Sequence, residues 1–278
     1  MRLGISTDLN CKSPQEWAES IRSLGCGAVV FPVDYTADEK TVWAYADAAE
    51  AWGLVIAETG CWCNPISPDP KEREQALERC REQLRLADAV GARCCVNVAG
   101  AAGAKWSGAY KGNFSEETWD LTVRTIQDII DAVRPQHTCF TIEPMPYMVP
   151  MDPDQYVRLM EEVDRDRFAV HMDFCNWLNT PEKYYFHEAF LEECFAKLGP
   201  YIKSCHLKDV QLTHELTCHL KEVPCGQGEI NLENYIRLAE QYDPEMPMIT
   251  EHLKSDQAYL DSVRYLKQRL QPAGIRFF

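Results

Sequence analysis

Eight short runs of strand-forming residues recur along the chain, each bounded by turn or polar residues and separated from the next by a segment of helical period. This alternation limits the available folds more than any other feature. The runs are Leu3–Ser6, Ala28–Phe31, Leu54–Ala57, Cys94–Val98, Cys139–Ile142, Phe168–Met172, Ile202–His206 and Met248–Thr250. They are almost continuously apolar, as parallel strands must be when helices cover the sheet. Between them, helices fit Pro14–Leu24, Asp38–Trp52, Lys71–Val90, a segment ending near Pro135, Pro153–Val163, His187–Leu198, Leu232–Tyr242 and Asp256–Leu270. In the fourth of these, Trp119, Val123, Ile126, Ile130 and Val133 form one apolar stripe, and Ser115 stands where an N-cap belongs. Gly25, Gly53, Gly91 and Gly199 follow four of the helices closely, as stop signals do.

Over 278 residues the repeat is about 35 residues per strand–helix unit. A closed eight-stranded barrel accounts for the count better than an open doubly wound sheet, which usually has fewer strands and a phosphate-binding glycine loop after the first. No G-x-G-x-x-G follows Leu3–Ser6, and no linker or composition shift marks a second unit. The expectation is an α/β chain forming a single (β/α)8 TIM barrel domain over residues 1–278.

Forty-three acidic against 28 basic side chains leave a net charge of -15, with no run of lysines or arginines, so nucleic acid and anionic membrane are poor partners. The longest uncharged apolar-rich run, Cys26–Val33, is far too short to span a bilayer, and Met1–Asn10 lacks a signal-peptide stretch. The thirteen cysteines are odd in number and show no tandem C-x-x-C pairs, which favours free thiols. The adjacent Cys94 and Cys95 are expected on opposite faces of one strand. A soluble protein in a reducing, cytoplasmic compartment follows.

In such a barrel the chemistry sits at the C-terminal ends of the strands. The last four barrel runs end in, or are followed at once by, Glu143, Asp173, His206 and Glu251. Acids brought so close repel one another unless a cation neutralises them. Oxygen-rich ligation with one histidine suits manganese, magnesium or cobalt better than a structural zinc. Four protein ligands on a six-coordinate ion leave two positions for adjacent substrate oxygens. Any one strand-terminal acid is as readily a helix cap or an ion-pair partner; the joint occurrence in successive units is what argues for a site.

The strings Ile142-Glu143-Pro144, His171-Met172-Asp173, Cys205-His206-Leu207-Lys208-Asp209, Val223-Pro224-Cys225-Gly226-Gln227-Gly228-Glu229-Ile230 and Thr250-Glu251-His252 resemble the xylose isomerase-like TIM barrel superfamily. That superfamily includes ketose 3-epimerases, inosose dehydratases and related sugar isomerases. The resemblance is carried by residues 140–252 and extends to the N-terminal half only as architecture. It implies one catalytic divalent ion, manganese first, with magnesium or cobalt as alternatives, held by Glu143, Asp173, His206 and Glu251. Epimerases of the family often carry a histidine where this chain has Asn176 and an arginine where it has Leu212. The stretch Asp173–Trp177 with His206–Asp209 looks more like a less characterised branch, related to subunits of enzymes that cleave C-glycosides after sugar oxidation.

The resemblance further implies a ketose or keto-sugar substrate and a metal-stabilised enediolate, with Glu143 and Glu251 as catalytic base and acid. Proton return to the opposite face gives epimerisation, return to the next carbon gives isomerisation, and a leaving group gives elimination. His171 shares a strand face with Asp173, and Lys208 shares one with His206. With Asn176 they are candidate substrate-binding residues, although Lys208 equally suits a pair with Asp209. Trp62 and Trp106, after the third and fourth runs, are candidate aromatic walls for a sugar or aglycone. Glu222 is within reach of the pocket but is expected rather as a solvated loop acid, His252 as facing away from the site, and Gly100–Asn113 as a mobile lid. Expected partners are a small-molecule sugar or glycoside and further copies of the chain, with a second smaller subunit as an alternative. Competing functions are a lyase acting on 3-keto glycosides and a non-catalytic barrel. Abasic-site endonucleases share the barrel but look different, with a multi-histidine trinuclear zinc cluster and a basic surface.

Overall fold

The computed structural model describes residues 1–278. Its strands are β1 (Arg2–Ile5), β2 (Ala28–Val30), β3 (Val55–Gly60), β4 (Cys94–Asn97), β5 (Cys139–Ile142), β6 (Phe168–Met172), β7 (Ile202–Leu207), β8 (Asp209–Leu212), β9 (Leu220–Val223) and β10 (Pro247–Thr250). Eight of them close a parallel barrel in the order β1-β2-β3-β4-β5-β6-β7-β10, with β10 returning to β1. The fold is the expected (β/α)8 TIM barrel. Its helices are α1 (Pro14–Ser23), α2 (Glu39–Ala51), α3 (Pro70–Ala89), α4 (Glu116–Val133), α5 (Pro153–Val163), α6 (Pro181–Tyr185), α7 (His187–Leu198), α8 (Leu232–Tyr242) and α9 (Asp256–Leu270). None is long and apolar enough to cross a membrane.

Local chemistry sets the helix starts. Ser13, Asp38, Asp69, Ser115, Asp152, Thr180, Asn231 and Ser255 each accept a first-turn backbone N–H at the N-cap. Each such cap is worth about 1 kcal/mol. Gly53 and Gly91 end α2 and α3 with φ of +64° and +69°. Gly199 does not follow that pattern: it keeps helical backbone (φ -46°), and a side chain there would collide with the Tyr242 ring.

Strand residues facing outward, among them Leu3, Ile56, Cys95, Phe140 and Met172, join the helices in one core. Cys94 turns the other way, its thiol 3.6 Å from the Ala57 carbonyl, so the two adjacent cysteines do face opposite sides. All thirteen cysteines are free. The base of the barrel interior is filled by Ala28, Ala57 and Ile249. Gly4 makes that layer possible, because a Cβ on it would lie 2.4 Å from the Ile249 side chain.

The barrel register is broken twice. One extra residue on β3 opposes the Val29–Val30 step of β2, so that Val29 pairs with Ile56 and Val30 with Glu58. A second shift lies between β6 and β7, where Val170 pairs with Ile202 and His171 with Ser204. Such bulges re-aim side chains.

Sequence periodicity did not reveal the antiparallel hairpin β8–β9, which follows β7. Asp209 anchors it. One carboxylate oxygen accepts from the N–H groups of Val210 (2.9 Å) and Ile230 (3.0 Å), the other from Gly226 (2.9 Å) and Gly228 (3.0 Å). The H-x-K-D string and the glycine-containing loop are thus two halves of one device. Asp209→Asn turns one acceptor into a donor facing N–H groups and should cost roughly 2–3 kcal/mol. Chemical denaturation measures the loss, and a change below about 0.5 kcal/mol, the level of an ordinary surface substitution, would show that the loop is held otherwise.

Candidate metal centre

β5, β6, β7 and β10 are neighbours in the barrel, and their upper ends deliver Glu143, Asp173, His206 and Glu251 to one point. One ligand atom from each of the four lies within 4.8 Å of the others, and all four side chains are buried. His206 Nδ1 stands 3.0 Å from Glu251 Oε1, 3.4 Å from Glu143 Oε1 and 3.6 Å from Asp173 Oδ2. None of these contacts is aligned as a hydrogen bond, so His206 Nδ1 and Asp173 Oδ1 are buried polar atoms without a hydrogen-bonding partner. Orphaned donor atoms converging on one point are what a cation-binding set looks like, and three oxygens with one imidazole nitrogen suit a divalent ion.

Crowding shows in the electrostatics. Burial, then the charge of Glu251, pushes the Glu143 carboxyl up to about 8. Burial acts against the charged forms of Asp173 and Glu251 as well, but Lys208 and His206 outweigh it and hold both below the usual carboxylate range. Burial likewise disfavours the imidazolium of His206, yet Glu251 and Glu58 raise it well above an ordinary histidine.

Lys208 and Asn176 tie the set together. The fully buried Lys208 ammonium pairs with Asp173, with Glu251 Oε1 at 2.5 Å and with Glu222 Oε1 at 3.3 Å. It makes no pair with Asp209, whose oxygens serve the loop. Asn176 Nδ2 donates to Asp173 Oδ2 (2.9 Å) and Glu143 Oε1 (3.1 Å). Glu222 sits on β9 and His252 Nδ1 lies 3.1 Å from it and 3.4 Å from the Lys208 amine. Both therefore border the site: Glu222 stays exposed, as expected of a solvated acid, yet the hairpin brings it to Lys208, and the exposed His252 meets it at the rim instead of facing away. A cavity of about 310 Å³ opens beside Asn176, Lys208 and Glu222, walled by Pro146, Leu178, Val210 and Leu220.

The other expected residues lie elsewhere. His171 is wholly buried beneath the site, where its Nε2 meets Glu58 Oε2 at 2.9 Å and its ring lies 4.1 Å from that of His206. Trp62 and Trp106 line a separate cavity of about 620 Å³ with Tyr35 and Arg79, against α3. The Gly100–Asn113 loop is held by buried Asn113, which accepts from Ala102 N (2.8 Å) and donates to the Gly108 and Tyr147 carbonyls (2.9 Å each). Glu58, a buried carboxylate 3.0 Å from His206 Nε2, escaped sequence analysis. By sequence the third run ends at Ala57, and plain alternation would turn residue 58 toward the helices; the bulge in β3 turns it inward.

The sequence matches the family described as xylose isomerase-like TIM barrel over residues 18–269, and the chain belongs to that family. No curated protein matches it closely enough to add to this. Among solved structures, the chain is similar to a xylose isomerase-like TIM barrel protein from Mycobacterium smegmatis in complex with magnesium (TM-score 0.69, 18% identity, 98% of this chain and 97% of that one). It is also similar to a 3-keto-D-glucoside 4-epimerase from E. coli (0.69, 16%, 96% and 99%). A third likeness is to D-psicose 3-epimerase from Clostridium cellulolyticum H10, solved with D-tagatose (0.71, 12%, 100% and 100%).

A divalent ion taken up here must displace the protons that Glu143 and His206 hold near neutral pH. Binding of Mn2+ to metal-free protein should therefore tighten as pH rises from 6 to 8 and release at least one proton. Calorimetry in buffers of different ionisation heat reads both, and pH-independent binding without proton release would contradict the ligand set.

Proposed function

We propose that this protein is a divalent-metal-dependent epimerase or isomerase acting on a ketose or keto-sugar. The observation that carries the proposal is the convergence of Glu143, Asp173, His206 and Glu251, with orphaned donor atoms, beside a half-open cavity. The names of the structural neighbours, a 3-keto-glucoside epimerase and a ketose epimerase, support it. When bound, the ion, with Mn2+ preferred to Mg2+ or Co2+, would polarise a substrate carbonyl and stabilise negative charge on its oxygen.

The remaining work falls to side chains of the chain itself. Glu143 and Glu251 come from strands separated by β6 and β7, so they approach a sugar from different sides. One takes the proton on the carbon next to the carbonyl, and the other returns a proton to the opposite face, which inverts that carbon. Asn176 fixes the Glu143 and Asp173 carboxylates, and Lys208 places an ammonium at the cavity wall beside Glu251. Leu178, Val210 and Leu220 supply the apolar part of the adjoining wall.

Incubation of Mn2+-loaded protein with a panel of ketoses and 3-keto-sugars in deuterated water should place deuterium on the carbon next to the carbonyl of at least one, as read by NMR. Glu143→Gln and Glu251→Gln should each slow that exchange by roughly a hundred- to ten-thousand-fold. Metal-loaded protein that exchanges no proton across the panel would refute the proposal.

A further inference from the structure

Below the four-residue set the barrel carries a second buried charge that the proposed reaction does not use. Glu58, 1% exposed, receives three polar contacts: His206 Nε2 at 3.0 Å on Oε1, with His171 Nε2 at 2.9 Å and Ser204 Oγ at 3.1 Å on Oε2. An isolated carboxylate so deep is very costly, and a fold retains one only where donors compensate it. Both breaks in the barrel register converge on this group. The extra residue on β3 turns Glu58 inward, and the shift between β6 and β7 brings Ser204 level with His171. A regular barrel would place neither the carboxylate nor its cage.

We infer that Glu58 is a positioning residue that fixes which nitrogen of His206 serves the metal centre. A carboxylate only accepts, so Nε2 must carry hydrogen toward Glu58. Nδ1, the nitrogen facing Glu143, Asp173 and Glu251, is thereby the one left to offer a lone pair. The buried anion also increases the basicity of the ring as a ligand, while His171 and Ser204 keep the carboxylate from rotating. This role rests on the metal-centre proposal above, and it adds a residue from a fifth strand to the machinery.

Replacing Glu58 by Gln keeps the shape, removes the negative charge and leaves one accepting oxygen where three donors converge on two. Calorimetric titration of metal-free protein should show Mn2+ bound roughly 10- to 100-fold more weakly by Glu58→Gln. Ser204→Ala, which leaves the His206 contact in place, should stay within about threefold of wild type, and Glu58→Asp should recover part of the loss. A merely structural Glu58 would lower the melting temperature of metal-free protein without this ordering of affinities. The Co2+-loaded wild type supplies a readout that does not depend on any variant folding. Its spectrum should contain a paramagnetically shifted, solvent-exchangeable imidazole N–H proton from His206 Nε2, slow to exchange because Glu58 holds it. Absence of that proton, or equal Mn2+ affinity in Glu58→Gln and wild type, would overturn the role of Glu58 alone. A wild type that takes up no divalent ion would overturn the metal centre and this inference together.

Discussion

Closing eight parallel strands into a ring makes every strand end on the same side, and the strand tilt draws those ends toward one axis. That constraint governs the rest of this molecule. It leaves no sheet edge, so the strands can be apolar on the helix side. It also reserves the interior for whatever side chains alternation or a bulge sends there. At the base these are small, Gly4, Ala28 and Ala57 around Ile249. Higher up they are charged: Glu58, Glu143, Asp173 and Glu251, against His206 and Lys208.

Such a stack of buried charge exacts a desolvation penalty that hydrophobic residues of similar volume would avoid. The molecule limits that penalty by pairing. Lys208 spans Asp173 and Glu251, Asn176 joins Asp173 to Glu143, and Glu58 lies between two imidazoles. The pairing is least complete at the level of the four strand-end residues. Glu143 is pushed up to about 8, and His206 Nδ1 and Asp173 Oδ1 lack hydrogen bonds. Stability alone gives no reason to keep that imbalance, whereas a divalent cation bound there would relieve it. The hairpin β8–β9 adds Glu222 to the rim, but the anchor of the hairpin, Asp209, belongs to a separate network of backbone N–H groups.

Periodicity and punctuation made most of the architecture legible. Each of the eight runs became a barrel strand within about two to three residues, because a buried parallel strand must be apolar on both faces. Helix starts were marked by capping side chains such as Ser115, whose hydroxyl accepts from Thr118 N. The four strand-terminal residues that the structure gathers were also readable, since the fold puts any residue following such a strand at the same end. What escaped depended on register or on chain reversal. Glu58 enters the barrel through an extra residue that no local pattern announces. The short polar strands of β8–β9 lack an apolar signature, so Glu222 and His252 were not seen to meet Lys208. Trp62 and Trp106 were correctly placed in βα loops, but loop paths sent them to a cavity beside α3 rather than to the ligand set.

The sequence by itself determined the barrel, its order of strands and the identity of the acids and imidazole at the ends of the second half. Alternation, capping and strand termination are local properties, and a chain writes them residue by residue. Only the tertiary structure decided which nitrogen of His206 faces the acids, that Lys208 pairs with Asp173 and Glu251 rather than Asp209, and that Glu58 lies beneath them. Those outcomes follow from register shifts and ring closure, which bring residue 58 within 3.0 Å of residue 206 across a sequence separation of 148. Distances of that kind are set by how the whole ring closes, and no single segment contains them.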